Sequence, residues 1–201
     1  MVSLLYKDMI NLKQQLRIYF LMIVLWVAVG LKSSNIGFLG GVLSMFSLLL
    51  PITAYSYDER AGWDKYALSM PYSRRQLVYS KYALSLIGLV FSVVFTGAVG
   101  FFMGNDRTDL IMQLLAFWTM GLLGADVILP LVFRFGVEKA RMIMLIVILV
   151  PTFLVLLLED YISAAGEAVL EYGIYAAVAA AVVLLPLSAV VSLRIYSKKE
   201  F

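Results

Sequence analysis

The chain has 201 residues, 63% hydrophobic and 14% charged, with a formal net charge of +3 and neither Cys nor His. A soluble domain has roughly 45–50% and 25%, so this composition points to a membrane protein. The missing Cys and His exclude a disulfide framework, a thiol nucleophile, an imidazole zinc site and a Ser-His triad.

Residues 1–17 lack the layout of a cleavable signal peptide. Val2, Leu5, Met9, Leu12 and Leu16 recur at helical spacing, with Lys7, Asp8, Lys13 and Gln14 mostly opposite. Residues 1–16 therefore read as an interfacial helix on the membrane surface, the alternative being an extension of the first span. A hydrocarbon core about 30 Å thick needs roughly 20 apolar helical residues. Six segments qualify: 16–31, 36–55, 82–103, 110–133, 141–158 and 174–196. The first is short, and Arg17 and Lys32 extend it by snorkelling. Fourteen of the sixteen Lys and Arg residues fall on one side of this arrangement; only Lys32 and Arg107 fall on the other. The bias places both termini and the loop after span two in the cytoplasm. The acids Glu159, Asp160, Glu167 and Glu171 then face outward.

Pro51, Pro130, Pro151 and Pro186 lie inside spans and permit kinks. Gly37/Gly41 and Gly100/Gly104 have G-x-x-x-G spacing, and Ala176 to Ala181 form a small-residue run; all of these read as helix packing. The expected fold is an all-α integral membrane domain over residues 1–201, with six transmembrane helices.

The longest polar stretch lies between spans two and three, over residues 57–82. Asp58 and Glu59 are taken to open a helix there, since acids are favoured at an N-terminus. Trp63, Tyr66, Ala67 and Met70 recur at i, i+3, i+4 and i+7, which predicts a short amphipathic helix. Pro71 stops it by biasing Met70 out of the helical region. Ser73 with Gln76 makes a capping box that starts the next helix near Arg74. Three jobs fit such a rod: a solvated loop on headgroups, an anionic-lipid site through Arg74, Arg75 and Lys81, or a docking element for a cytoplasmic partner. The number of specified residues favours the partner.

The residues Asp58-Glu59, Gly62, Asp64 with Tyr66, Ser69-Met70-Pro71-Tyr72-Ser73-Arg74 and Val78-Tyr79-Ser80-Lys81-Tyr82 carry a resemblance. Together they resemble the loop between the second and third helices of ABC-2 type exporter permeases of the small six-helix branch. That branch includes the Pmt-type exporters, which move amphipathic peptide toxins such as phenol-soluble modulins. The resemblance implies a permease subunit in a bacterial cytoplasmic membrane, paired with a second identical or related copy. It implies a separate ATPase that carries ATP and Mg, and a coupling helix within residues 57–73 that enters a cleft of that ATPase. Asp58, Glu59, Arg60, Trp63, Asp64 and Tyr66 would meet the ATPase; Arg74 and Arg75, with Lys81, would face phosphates or acidic groups. Replacing Asp58, Glu59 and Trp63 together would then uncouple ATPase binding without unfolding the spans.

The chain has no G-x-x-x-x-G-K-[ST], so it binds no ATP through a P-loop. No cofactor and no nucleic acid are expected on it. Apolar walls of Leu, Val, Phe and Met suit an amphipathic or lipid-like cargo. Two other classes of function compare as follows with the sequence. A lipid-acting membrane enzyme lacks H-E-x-x-H, G-x-S-x-G and clustered intramembrane acids. An accessory or immunity-type protein that binds a partner without transport remains the alternative. Asp126 is the one acid inside a span. It reads either as a pathway or proton site, or as an interhelical hydrogen bond or a pair with Arg134.

Overall fold

The computed structural model describes residues 2–33, 36–104, 106–157 and 167–199. Seven helices fill them: α1 Val2–Ser33, α2 Gly37–Ala61, α3 Trp63–Ser69, α4 Arg74–Phe102, α5 Arg107–Phe135, α6 Val137–Leu157 and α7 Glu167–Ser197. Among the described residues no strand occurs. Five of the helices are long and apolar enough to cross a membrane: α1 from Gln15, α2 from Leu39, α4, α5, and α7 from Gly173. A helix, α6, covers the expected span over 141–158 as far as Leu157, although residue 158 and several of its side chains lie outside what is described. Of the outward acids, Glu159 and Asp160 also lie outside, and Glu167 and Glu171 fall in the first turns of α7.

Local chemistry sets the breaks. Gly62 takes a left-handed conformation (φ 61°), and its N–H reaches the carbonyls of Asp58 and Glu59, which closes α2. Met70 is extended (φ −91°, ψ 169°) ahead of Pro71, and α3 stops there. The Ser73 hydroxyl accepts from the Gln76 N–H at 3.3 Å, and the Gln76 side chain accepts from the Ser73 N–H at 3.1 Å. That is the capping box the sequence predicts, and α4 starts at Arg74. A single residue, Gly136 (φ 79°), turns α5 into α6.

The N-terminal segment departs from its expected form. α1 runs unbroken for 32 residues, about 48 Å at 1.5 Å per residue. Its buried stripe near the start is Leu4, Asp8 and Leu12, whereas Met9 is about half exposed. Three of the expected apolar positions, Leu5, Leu12 and Leu16, do pack inward with Ala54 and Leu84; the departure is Asp8, which is drawn inward by lysines from α1 and α4. The segment packs on α2 and α4 as the lower part of one long helix.

α5 packs along α7 and α2 along α4, with α1 against α2 and α6 against α5. The largest buried cluster lies at the end that carries α3. It joins Leu4, Tyr55, Ala67, Val78, Phe133 and Tyr196. There the Phe133 ring meets Tyr55 and Tyr196 edge-on, at 5.3 and 5.7 Å between centroids. Close helix approach rests only in part on the expected glycines: a Cβ on Gly100 would lie 2.5 Å from a Leu110 methyl and 2.6 Å from one of Ile36. Gly41 leaves a Cβ ordinary room, and Gly104 ends α4 with φ 72°. It is Gly40 that lies under the Phe117 ring of α5, where a Cβ would overlap ring carbons. Gly40→Leu is expected to lower stability by about 1–3 kcal/mol through overpacking. A thermal midpoint in detergent equal to that of the unsubstituted chain would remove Gly40 from the α2–α5 contact.

Candidate functional site

The corner where α2 turns into α3 is bound to four other helices, and most of the polar residues expected to face a partner make those bonds. Asp58 sits in the last turn of α2, not at the start of α3. Its carboxylate takes Lys7 Nζ at 2.5 Å and Lys81 Nζ at 2.7 Å. Asp8 completes a quartet, with Lys81 Nζ at 2.8 Å and Lys7 Nζ at 3.1 Å. Two cations and two anions leave it neutral, and all but Lys7 are almost fully enclosed. Lys7 also lies 4.6 Å from the centroid of the Trp63 ring at the start of α3. The quartet therefore ties α1, α2 and α4 together directly behind α3.

Glu59 does stand at a helix N-terminus, but at that of α6. Its carboxylate accepts from the Val137 N–H at 3.1 Å, where the helix dipole favours an anion. A Cβ on Gly136 would lie 2.6 Å from the same carboxylate, so the turn and its cap require each other. Asp64 accepts from the Tyr196 hydroxyl at 2.8 Å. Arg74 donates to the carbonyls of Tyr196 at 2.9 Å, Ser197 at 2.7 Å and Lys199 at 3.0 Å. The Tyr196 and Ser197 carbonyls lie in the last turn of α7 and that of Lys199 just beyond it, so Arg74 caps that helix.

The expected contact set thus divides. Asp58, Lys81 and the inner edge of Trp63 are turned into the fold. Arg74 is engaged with α7, and Glu59 with α6. Asp64 is half-buried against Tyr196. The expected apolar stripe of α3 is split as well: Ala67 is buried, while Tyr66 is 63% and Met70 46% exposed. Arg60, Lys65, Tyr66, Ser69, Met70, Pro71 and Arg75 form the outward face. Changing Asp58, Glu59 and Trp63 together would therefore break the corner's internal bonds, contrary to the expectation that the spans would be unaffected. Lys7 and Asp8 were missed as part of this site. The available signal was Asp8 midway between Leu4 and Leu12 at i, i+4 and i+8, an acid within an apolar row.

Burial raises the Asp64 carboxyl above its ordinary range, against the Tyr196 hydroxyl and Lys199, which lower it. An acid whose folded pKa is raised holds its proton more tightly when folded. Its ionisation therefore costs stability. The cost is absent below the ordinary aspartate value of about 3.9 and complete above the folded value. Asp64→Asn keeps an oxygen for Tyr196 and removes the ionisation. We expect a gain on the order of 0.5 kcal/mol at neutral pH that disappears below about pH 4. Melting across pH checks it, and a variant less stable at neutral pH would contradict it.

Asp126 is buried in α5, and neither of its carboxylate oxygens has a hydrogen-bond partner among the described residues. Ser188 of α7 donates to its backbone carbonyl at 2.7 Å, not to its side chain. Tyr82 links Ser188 and Ser192 at 2.7 and 2.8 Å. Arg134 is exposed and stacks on Phe135 at 5.1 Å. The pair with Arg134 is therefore absent, and the interhelical bond is made through the backbone.

The family described as ABC-2 family transporter protein matches residues 3–197, nearly the whole length, and the chain belongs to it. It is thus the multi-pass membrane component of an ABC transporter, and the family implies an ABC ATPase as partner. No curated protein and no solved structure matches the chain.

Proposed function

We propose that the chain is the permease subunit of an ABC exporter, with α3 as the coupling helix to a separate cytoplasmic ATPase. The observation that carries this reading is the two-sided character of α3. Its inner side is bonded to α1 and α7, while Tyr66 and Met70 stand exposed on its outer side. A seven-residue helix held so firmly on one side suits the transfer of a push from a partner to the helices behind it. In this reading α6 is a sixth span, both termini are cytoplasmic and two copies enclose the pathway. ATP and Mg bind the partner. ATP-driven closure of the ATPases moves α3, and the spans alternate between inward and outward access. The apolar helix surfaces suit an amphipathic or hydrophobic peptide, or a lipid-like compound.

The test is purification of the tagged chain from its native membrane in gentle detergent, with co-purifying proteins identified by mass spectrometry. A P-loop ATPase at equal stoichiometry, with hydrolysis that depends on this chain, is the expected result. Recovery without an ATPase, under conditions where known complexes survive, would overturn the reading in favour of an accessory protein.

A further inference from the structure

Two of the cations expected to meet anionic groups are engaged inside the fold, Lys81 in the quartet and Arg74 on α7. Three others converge elsewhere. Arg60, in the last turn of α2, and Lys139 and Arg141, in the first turns of α6, line an open cavity of about 330 Å³. Gly136 and Val137 form part of its wall. All three cations are exposed, and none makes a salt bridge among the described residues. Glu59 and Glu138 also line the cavity, which leaves an excess of one positive charge. The Glu59 carboxylate is moreover committed to the Val137 N–H, where the partial positive charge of the α6 N-terminus offsets it.

The depth of this cavity narrows the ligand. The apolar part of α2 ends before Asp58 and that of α5 before Arg134, so the cavity lies where two spans leave the hydrocarbon, at headgroup level. Just past Arg141, α6 exposes Met142, Leu145, Ile146, Leu149 and Phe153, an apolar stripe at i, i+3, i+4, i+7 and i+11. Cations at the mouth with a continuous apolar stripe beyond them follow the order of parts in a phospholipid. We propose that this cavity binds the phosphate headgroup of an anionic phospholipid, with its acyl chains along the exposed stripe of α6. The inference rests on the membrane-spanning reading of α2, α5 and α6, and it is independent of the ATPase partner.

The experiment compares lipid retention by native mass spectrometry after reconstitution with phosphatidylglycerol or phosphatidylcholine and stepwise delipidation. The chain is expected to keep one phosphatidylglycerol and to release phosphatidylcholine. Arg60→Gln/Lys139→Gln/Arg141→Gln is expected to weaken that retention by roughly 100-fold, given the attraction of each surface cation to anionic lipid. Lys13→Gln/Arg17→Gln/Lys198→Gln, with the same change in charge at exposed positions, is expected to keep it. Equal loss in both variants would reduce the effect to diffuse charge and overturn the site, as would equal retention of the two lipids. Glycerol phosphate held as tightly as the lipid would make it a site for free phosphate esters. A cavity variant that keeps lipid but loses the ATPase would make it a docking surface instead.

Discussion

Lys81→Met is expected to destabilise the chain by about 3–5 kcal/mol, the largest effect of any single substitution considered, because it breaks a buried ion pair from one side. Lys81 bonds both carboxylates of the quartet, at 2.8 Å to Asp8 and 2.7 Å to Asp58. Without it, two nearly enclosed carboxylates share Lys7 alone, and one negative charge is left without compensation. Asp8 Oδ1 already has only Lys7 at 3.1 Å, outside hydrogen-bond geometry. The double variant Asp58→Leu/Lys81→Met restores neutrality, keeps the Lys7–Asp8 pair and is expected to recover most of the loss. The thermal midpoints of the two variants in the same detergent decide the matter. A single variant as stable as the unsubstituted chain would mean that the quartet contributes little. A double variant no better than the single would assign the loss to packing.

The sequence position of each bond explains how much of the site was legible. The end of α3 at Met70, the capping box at Ser73 and the start of α4 at Arg74 were all read correctly, since each depends on residues within four positions. The roles of Asp58, Glu59 and Arg74 were not, because their partners are remote. Lys7 is 51 residues from Asp58, Val137 is 78 from Glu59 and Tyr196 is 122 from Arg74. Helical periodicity records which face a residue occupies, but not which helix lies opposite. A buried charge therefore looks like a solvated one until its counter-ion is placed. The same limit hides the inward turn of Asp8 in α1. Periodicity places Asp8 on the polar face, yet it turns inward because Lys81 is there to meet it. The glycines divide in the same way, since spacing marks Gly100, which does lie against Leu110 and Ile36, but also Gly41, while the ring of Phe117 rests on Gly40.

Tyr66→Ser/Met70→Ser is expected to weaken ATPase binding by about 2 kcal/mol or more, roughly 30-fold, while leaving the fold intact. Both side chains stand on the outer side of α3, and among the described residues neither has a hydrogen bond or ion pair to another helix. Exposed substitutions of this kind change stability by about 0.5 kcal/mol or less. An aromatic ring beside a flexible thioether is a combination that anchors well in a partner's cleft. The inner residues give the opposite signature. Changes at Asp58 or Lys81 should lower the melting point first, and ATPase binding only as a consequence. Measuring affinity and thermal midpoint on the same preparations separates the two classes. Lost affinity at an unchanged midpoint would place the contact on α3. Unchanged affinity in the outer double variant, with the ATPase still bound to the chain, would show that α3 does not dock it. The contact would then have to lie on another part of this end of the bundle, and the turn between α5 and α6 beside Glu59 would be the next surface to substitute.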